Sequence, residues 1–316
     1  MKEISKTSCQ KDWFIISWML IVHVLALLAP FWFTWSGFYL FLLMYFLTAC
    51  IGITLGFHRL LSHRSFKAHP VIEGFVALCG TLALQGTVKD WVRHHRFHHM
   101  GSDTRRDPHN ARRGFWFSHM GWILIKQDEF SGKGEGQKFT RDILSNRWLA
   151  FLSNDLVAAG IQILLGLIFL YIGGISWVLW GIFLRLFAVY HVTWFVNSAT
   201  HKWGYRNFRS QDLAVNNWWV AILAFGEGWH NNHHRYSRVC PAGFRWWEID
   251  VTWMLIRALE AIGLVTQVNR FPESARTECL PLRPFSITGC PDSTADSASA
   301  RTEAAQASVS SQAVAS

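Results

Sequence analysis

The chain is short of charge. Asp, Glu, Lys and Arg together make up 16% of its 316 residues, well under the quarter usual in soluble domains. Its six cysteines, Cys9, Cys50, Cys79, Cys240, Cys279 and Cys290, show no CxxC and no paired spacing. That excludes a disulfide framework, a cysteine zinc site and an iron–sulfur cluster. No GxGxxG follows a strand, so the chain carries no dinucleotide fingerprint. No internal repeat is present, which excludes a solenoid or propeller.

What is abundant is apolar. Hydrophobic residues make up 51% and there are 18 tryptophans; tryptophan gathers where one end of a ring is dry and the other wet. Four long apolar runs stand out: Trp13 to Trp35, Gly37 to Phe57, about Leu156 to Ile172 and about Ile175 to Asn197. Each reaches or approaches the ~20 residues a helix needs to cross hydrocarbon. The first is too long, and too poorly flanked by small residues, for a signal peptide. A shorter run, Val71 to Gly86, is interrupted by Gly74 and Gly80 and reads as buried or interfacial.

The runs form two hairpins. Their connections, "FTWSG" and "YIGGIS", hold no lysine or arginine, whereas the segment from His58 to about Asn154 is crowded with both. The positive-inside rule therefore puts that segment and both termini in the cytoplasm. The net charge of +9 then suits a membrane surface rather than nucleic acid. The stretch "WWEIDVTWMLIRALEAIGL" reads as an amphipathic helix lying on the membrane. The expected organisation is a cytoplasmic N-terminus (1–12), a membrane domain (13–271) and a disordered Ser-, Ala- and Thr-rich tail (272–316).

Nine of the fifteen histidines form a pattern. "HRLLSH" gives His58 and His63, "HRFHH" gives His95, His98 and His99, "NSATH" gives His201, and "HNNHH" gives His230, His233 and His234. Helical spacings of three and four put side chains on one face, so each triplet can point at one place. His58 and His63 differ by five. Either the helix is distorted there or the two approach a centre from different sides. Every cluster falls at the cytoplasmic end of a run or in a cytoplasmic segment, so folding the hairpins together brings all nine to one level. Neutral imidazole ligates iron, zinc and copper, and nine ligands suit two ions. His23, His69, His109, His119 and His191 read as ordinary polar residues. His94 adjoins a ligand but faces elsewhere.

These boxes, with "GITLGFHRLLSHRSF", "DPHNARRGFWFSHMGW", "TWFVNSATHKWG" and "GEGWHNNHH", resemble the membrane-bound fatty-acyl delta-9 desaturases over roughly Trp13 to Leu264. The short N-terminus and "HNNHH" look most like the cyanobacterial acyl-lipid branch; the acyl-CoA branch shares most motifs. The resemblance implies an all-α integral membrane protein with four spanning helices in two hairpins. A cytoplasmic helical cap would hold two irons on the nine histidines. The implied reaction inserts a cis double bond at carbon 9 of a saturated acyl chain, with dioxygen as co-substrate. The acyl chain would be carried by a membrane lipid rather than by CoA. Gln85, Trp91, Thr193 and Trp194 would line the bend of an acyl tunnel. Electrons would come from a separate carrier, ferredoxin for the acyl-lipid branch or cytochrome b5 for the other.

The chemistry fits such a centre. A methylene C–H has no acidity for a general base to use, so neither a Ser/His/Asp triad nor a carboxylate pair could remove it. Asp90, Asp103, Asp107 and Glu227 could orient imidazoles or simply pair with nearby arginines. Asn197, one turn before His201, could hold a metal-bound water or cap the end of its helix. Arg185, inside the fourth run, needs a partner. A fatty-acyl hydroxylase is the nearest rival enzyme. A histidine-rich metal transporter is the rival from another class, but it would place ligands near the bilayer midplane.

Overall fold

The computed structural model describes residues 10–131 and 134–281. Residues 1–9 of the expected N-terminal segment and 282–316 of the expected tail lie outside them. The first ten residues assigned to the tail are described and lie against the domain. Ser274–Glu278 is a short helix, Leu280 N donates to Asn207 O (2.7 Å) and Arg235 pairs with Glu278.

Helix α1 (Trp13–Leu28) starts at Asp12, whose carboxylate accepts from Ile15 N (3.1 Å), and ends in a 3-10 turn, Ala29–Trp32. Thr34 caps α2 (Trp35–Tyr45) by accepting from Gly37 N (3.0 Å). Side chains at these caps satisfy N–H groups that the helix leaves free. Helix α2 runs without a break into a π-helix, Phe46–Ser62.

Three apolar helical stretches are long enough to cross a membrane: Trp13–Trp32, Trp35–Ser62 and Asp155–His201. The third joins two of the four expected runs into 47 residues, about 70 Å if straight, more than twice a hydrocarbon core. It is not straight. Gly174 has φ 60° and ψ −157°, a conformation glycine adopts without a steric penalty. The chain folds back there: the Phe169 and Trp177 rings lie 5.9 Å apart, and a Cβ on Gly181 would meet Phe169 at 2.9 Å. The two turns sit side by side. Thr34 Oγ1 lies 2.7 Å from Ser176 Oγ, and Trp177 Nε1 donates to Ser36 Oγ (3.0 Å).

The short glycine-broken run forms α3 (Pro70–Leu82), buried on one side through Val76, Ala77, Cys79, Gly80 and Thr81. It meets the π-helix backbone to backbone. A Cβ on Gly52 would strike the Cys79 carbonyl carbon at 2.5 Å, and one on Gly80 would strike the Phe57 ring. Helix α4 (Val88–Met100) follows and carries the second histidine box.

A two-stranded antiparallel pair, Lys67–Ala68 with Val265–Thr266, ties the segment after His63 to the C-terminal part. Between them the expected amphipathic stretch forms a helix, Val251–Ala261, that buries Thr252 and Ile256 and exposes Met254. Arg185 is fully buried and meets carbonyls rather than a carboxylate: it donates to Gly181 O (3.1 Å) and Leu82 O (2.5 Å). Backbone carbonyls are one of the accepted partners for a charge at membrane depth.

Candidate metal centre

The five-residue spacing of His58 and His63 is resolved by the π-helix. Its i→i+5 pattern stacks residues five apart, as in the bond from His63 N to His58 O (3.1 Å). The two rings lie 4.8 Å apart. Of the two alternatives left open by the sequence, the distorted helix holds.

All nine histidines converge, but in two groups. His58, His63, His95, His99 and His233 form one; His98, His201, His230 and His234 form the other. Within each group the ligand atoms lie within 4.8 Å of one another. Each helical triplet was expected to point at one place; instead each divides. On α4, His95 and His99 share a face while His98 turns to the second group. On the helix His230–Arg235, His230 and His234 pair and His233 turns to the first. The i,i+4 pairs stay together because four residues bring a helix nearly full circle, whereas a step of three leaves about 60°.

Four carboxylates lie against outer ring nitrogens, two of them, at His201 and His234, in hydrogen bonds. His58 Nδ1 lies 2.9 Å from Glu227 Oε2, His98 Nδ1 3.0 Å from Asp107 Oδ2, and His201 Nδ1 3.0 Å from Asp103 Oδ2. His234 Nδ1 lies 2.6 Å from Asp212 Oδ2, a contact that no motif marks. Asp90 takes the ordinary alternative: it pairs with Arg93 (2.7 Å) and accepts from Thr87 Oγ1 (2.5 Å). Glu227 does both jobs, since Arg59 also donates to it at 3.0 Å. Burial pushes Glu227 up, but His58 and Arg59 beside it bring it down to about 2.

The inner nitrogens carry the test for a metal. An imidazole that donates Nδ1–H to a carboxylate and remains neutral has only a lone pair on Nε2. His234, which donates to Asp212 and is held below the usual histidine range by burial, is in that state, and its Nε2 faces His98 Nε2 at 3.2 Å. His201 Nε2 likewise faces His230 Nε2 at 3.1 Å, and His58 Nε2 faces His233 Nε2 at 3.1 Å. Facing lone pairs repel unless a cation lies between them. Burial holds His63, His95, His99, His230 and His233 well below the usual histidine range, and neighbouring imidazoles add to this. They are therefore in the neutral, ligating form at physiological pH. Five and four inward nitrogens, oriented from behind, fit two metal ions.

A cavity of about 530 Å³ runs to this centre. Its wall includes Gln85, Trp91, Thr193, Trp194 and Asn197, together with His95. A smaller cavity of about 50 Å³ is lined by His58, His98 and His230 and shares Trp91, His95, Thr193 and Asn197 with the first. Three of the expected tunnel residues are linked: Trp91 Nε1 donates to Gln85 Oε1 (3.1 Å), and Gln85 Nε2 donates to Thr193 Oγ1 (2.8 Å). Trp194 stacks on Tyr190 (5.4 Å). Asn197 faces both cavities, and among the described residues its side-chain amide neither accepts from a backbone N–H nor donates to a backbone C=O.

The remaining histidines divide. His69 Nδ1 accepts from Val71 N (3.3 Å) at the start of α3. His23, His191 and His119 link in a row that ends at Ser198, with nitrogens 3.1 and 3.0 Å apart. His109 departs from the ordinary reading. It is buried in the cavity wall, 4.3 Å from the His98 ring and 3.5 Å from the Asp107 carboxylate. The sequence carried a signal for it, since His109 lies two residues after Asp107. Glu227 and His230 have the ExxH spacing of soluble di-iron bundles, but Glu227 turns to His58 instead.

Long apolar helices, two histidine groups placed to hold metal and a cavity reaching them are the marks of a membrane-embedded metalloenzyme. The chain belongs to the fatty acid desaturase family, which matches residues 32–263. The sn-1 stearoyl-lipid 9-desaturase of Synechocystis sp. is 47% identical over 273 residues, 86% of this chain and 84% of that protein. The enzyme of the same name from Anabaena variabilis is 47% identical over 267 residues, 84% and 96% of the two chains. The icosanoyl-CoA 5-desaturase of Limnanthes douglasii is 43% identical over 263 residues, 83% and 73%.

Proposed function

We propose that this enzyme inserts a cis double bond at carbon 9 of a saturated acyl chain carried by a glycerolipid, using dioxygen. The observation that carries the reading is that two cavities sharing Trp91, His95, Thr193 and Asn197 in their walls reach both histidine groups. A chain lying there passes its methylenes beside the ligands. The first iron would be held by His58, His63, His95, His99 and His233, and the second by His98, His201, His230 and His234. Two reduced irons supply the activation of dioxygen that an unreactive methylene requires. Two hydrogens leave the substrate, two electrons and two protons come from outside, and the oxygen leaves as water.

The protein's own part is binding and orientation. The Gln85–Trp91–Thr193 chain fixes the wall where the cavity passes the ligands, and the four carboxylates set the tautomer of their imidazoles. Asn197 would hold a metal-bound water, leaving an exchangeable position for a small molecule. The mouth of the cavity carries Asp12 and Asp128 against Lys126, a poor match for the phosphates of CoA, and two relatives are named for stearoyl-lipid.

The helical stretches would cross the membrane four times, as two hairpins, with the histidines and both termini on the cytoplasmic face. An acidic ferredoxin docked on the basic segment between the hairpins would supply the electrons; cytochrome b5 is the alternative donor. Expression in a host without desaturases, with gas chromatography of each lipid class, tests the reading. A cis-9 alkene appearing first on glycerolipid is expected. A hydroxylated acid without alkene would overturn it, and an alkene appearing first on CoA would overturn the carrier.

A further inference from the structure

The cavity wall contains a hydrogen-bond donor that the protein does not use. The indole Nε1 of Trp122 is buried, and no acceptor reaches it among the described residues. Indole nitrogen can only donate, and a buried donor without a partner is costly. The position of the ring is nevertheless fixed. Gln127 Nε2 donates to Trp122 O at 2.6 Å, and the ring packs edge-on against His94 (6.0 Å) and His109 (5.4 Å). An unpartnered donor on a pinned residue in a substrate cavity suits an uncharged acceptor brought by the substrate.

An acyl lipid offers one such acceptor near its reacting methylenes, the ester carbonyl. The spacing permits this. Trp122 lines the same cavity as the exposed Lys126 and Asp128 and the ligand His95. From its ring the path to His98 is two ring-to-ring steps, 5.4 Å to His109 and 4.3 Å onward. With C–C bonds of about 1.5 Å meeting at about 111°, carbon 9 lies about 10 Å from carbon 1 in an extended chain. The two steps bound the distance from Trp122 to His98 at about that length, so a carbonyl held at Trp122 would leave carbons 9 and 10 within reach of the ligands.

We propose that Trp122 Nε1 donates to the ester carbonyl of the acyl chain and so sets the position of the double bond by counting from the carboxyl end. This rests on the cavity being the acyl site of a desaturase. The test expresses the wild-type enzyme and Trp122→Phe, which keeps an aromatic ring but has no donor, in a host that makes 16- and 18-carbon chains. Double-bond positions are then read on both chain lengths. The wild type should place the bond at the same carbon from the carboxyl end in both. Trp122→Phe should spread the bond over neighbouring carbons and lower product yield about five- to tenfold, the worth of one hydrogen bond. Its abundance and iron content should be unchanged, whereas a purely structural role would lower both and leave the position alone. A wild-type bond at a constant distance from the methyl end, or a Trp122→Phe product as uniform as the wild type's, would overturn the proposal. The chain-length comparison needs no variant, so it stands even if Trp122→Phe fails to accumulate. A wild type that makes no alkene would sink the desaturase reading itself.

Discussion

Both nitrogens of a ligating imidazole matter, and the structure shows a use for each. The inner Nε2 atoms converge while carboxylates lie beside the outer Nδ1 atoms of His58, His98, His201 and His234. Replacing such a carboxylate should loosen the metal without removing a ligand. Asp212→Asn is expected to lower metal affinity about 10- to 100-fold, a typical cost for an outer partner, as read by chelator competition. An unchanged affinity would show that Asp212 does not orient His234. His98→Ala should abolish activity with the protein still in the membrane, while His94→Ala keeps measurable activity; half of wild-type product from His98→Ala would exclude it as a ligand. Asn197→Ala should retain both irons and lose most turnover. Full iron with full activity would leave Asn197 only a structural role.

The same residues show what the sequence could carry. The nine histidines were legible because ligand spacing is local: three and four residues on a helix, or a compact box. Three of the four carboxylates were candidates because they lie near a box. Asp212 was not, since it reaches His234 across 22 residues and no motif marks it. The split of each triplet between two groups was also hidden, because helix periodicity tells which side chains are neighbours but not where a second helix arrives.

At the scale of elements, the close packing of α3 on the π-helix sets where His58 and His63 sit. The glycines allow it. Gly80 faces the Phe57 ring so closely that a Cβ cannot enter without movement, and Phe57 precedes His58. Gly80→Ala should therefore destabilise the fold by about 1 to 3 kcal/mol, the usual cost of overpacking, and reduce metal retention. Thermal unfolding in detergent measures the first and iron content the second; a variant as stable as wild type would contradict this packing. The glycines between the third and fourth apolar runs were legible as a connection, "YIGGIS", but the form of the turn was not. A hydropathy pattern separates two runs equally well whether they are joined by a loop or by a single left-handed residue such as Gly174.

For the molecule as a whole, the turns at Thr34 and Ser176 meet, and the histidine groups lie at the other end of the same helices. The topology expectation follows. Single cysteines at Ser36 and Gly174 should react only with reagent added from the side opposite the N-terminus and Glu129. Labelling of all four from one side would break the two-hairpin arrangement. The number of crossings was read from four apolar runs, whereas the chain has three long helical stretches with the last folded on itself.

The central claim is that nine imidazoles in two groups hold two irons. Elemental analysis of the enzyme purified in mild detergent, set against protein concentration, tests it most directly. The account predicts about two irons per chain, in keeping with a paired-metal site, and a clear loss of iron in His98→Ala. Zinc in place of iron, or a single metal per chain unaffected by His98→Ala, would contradict it.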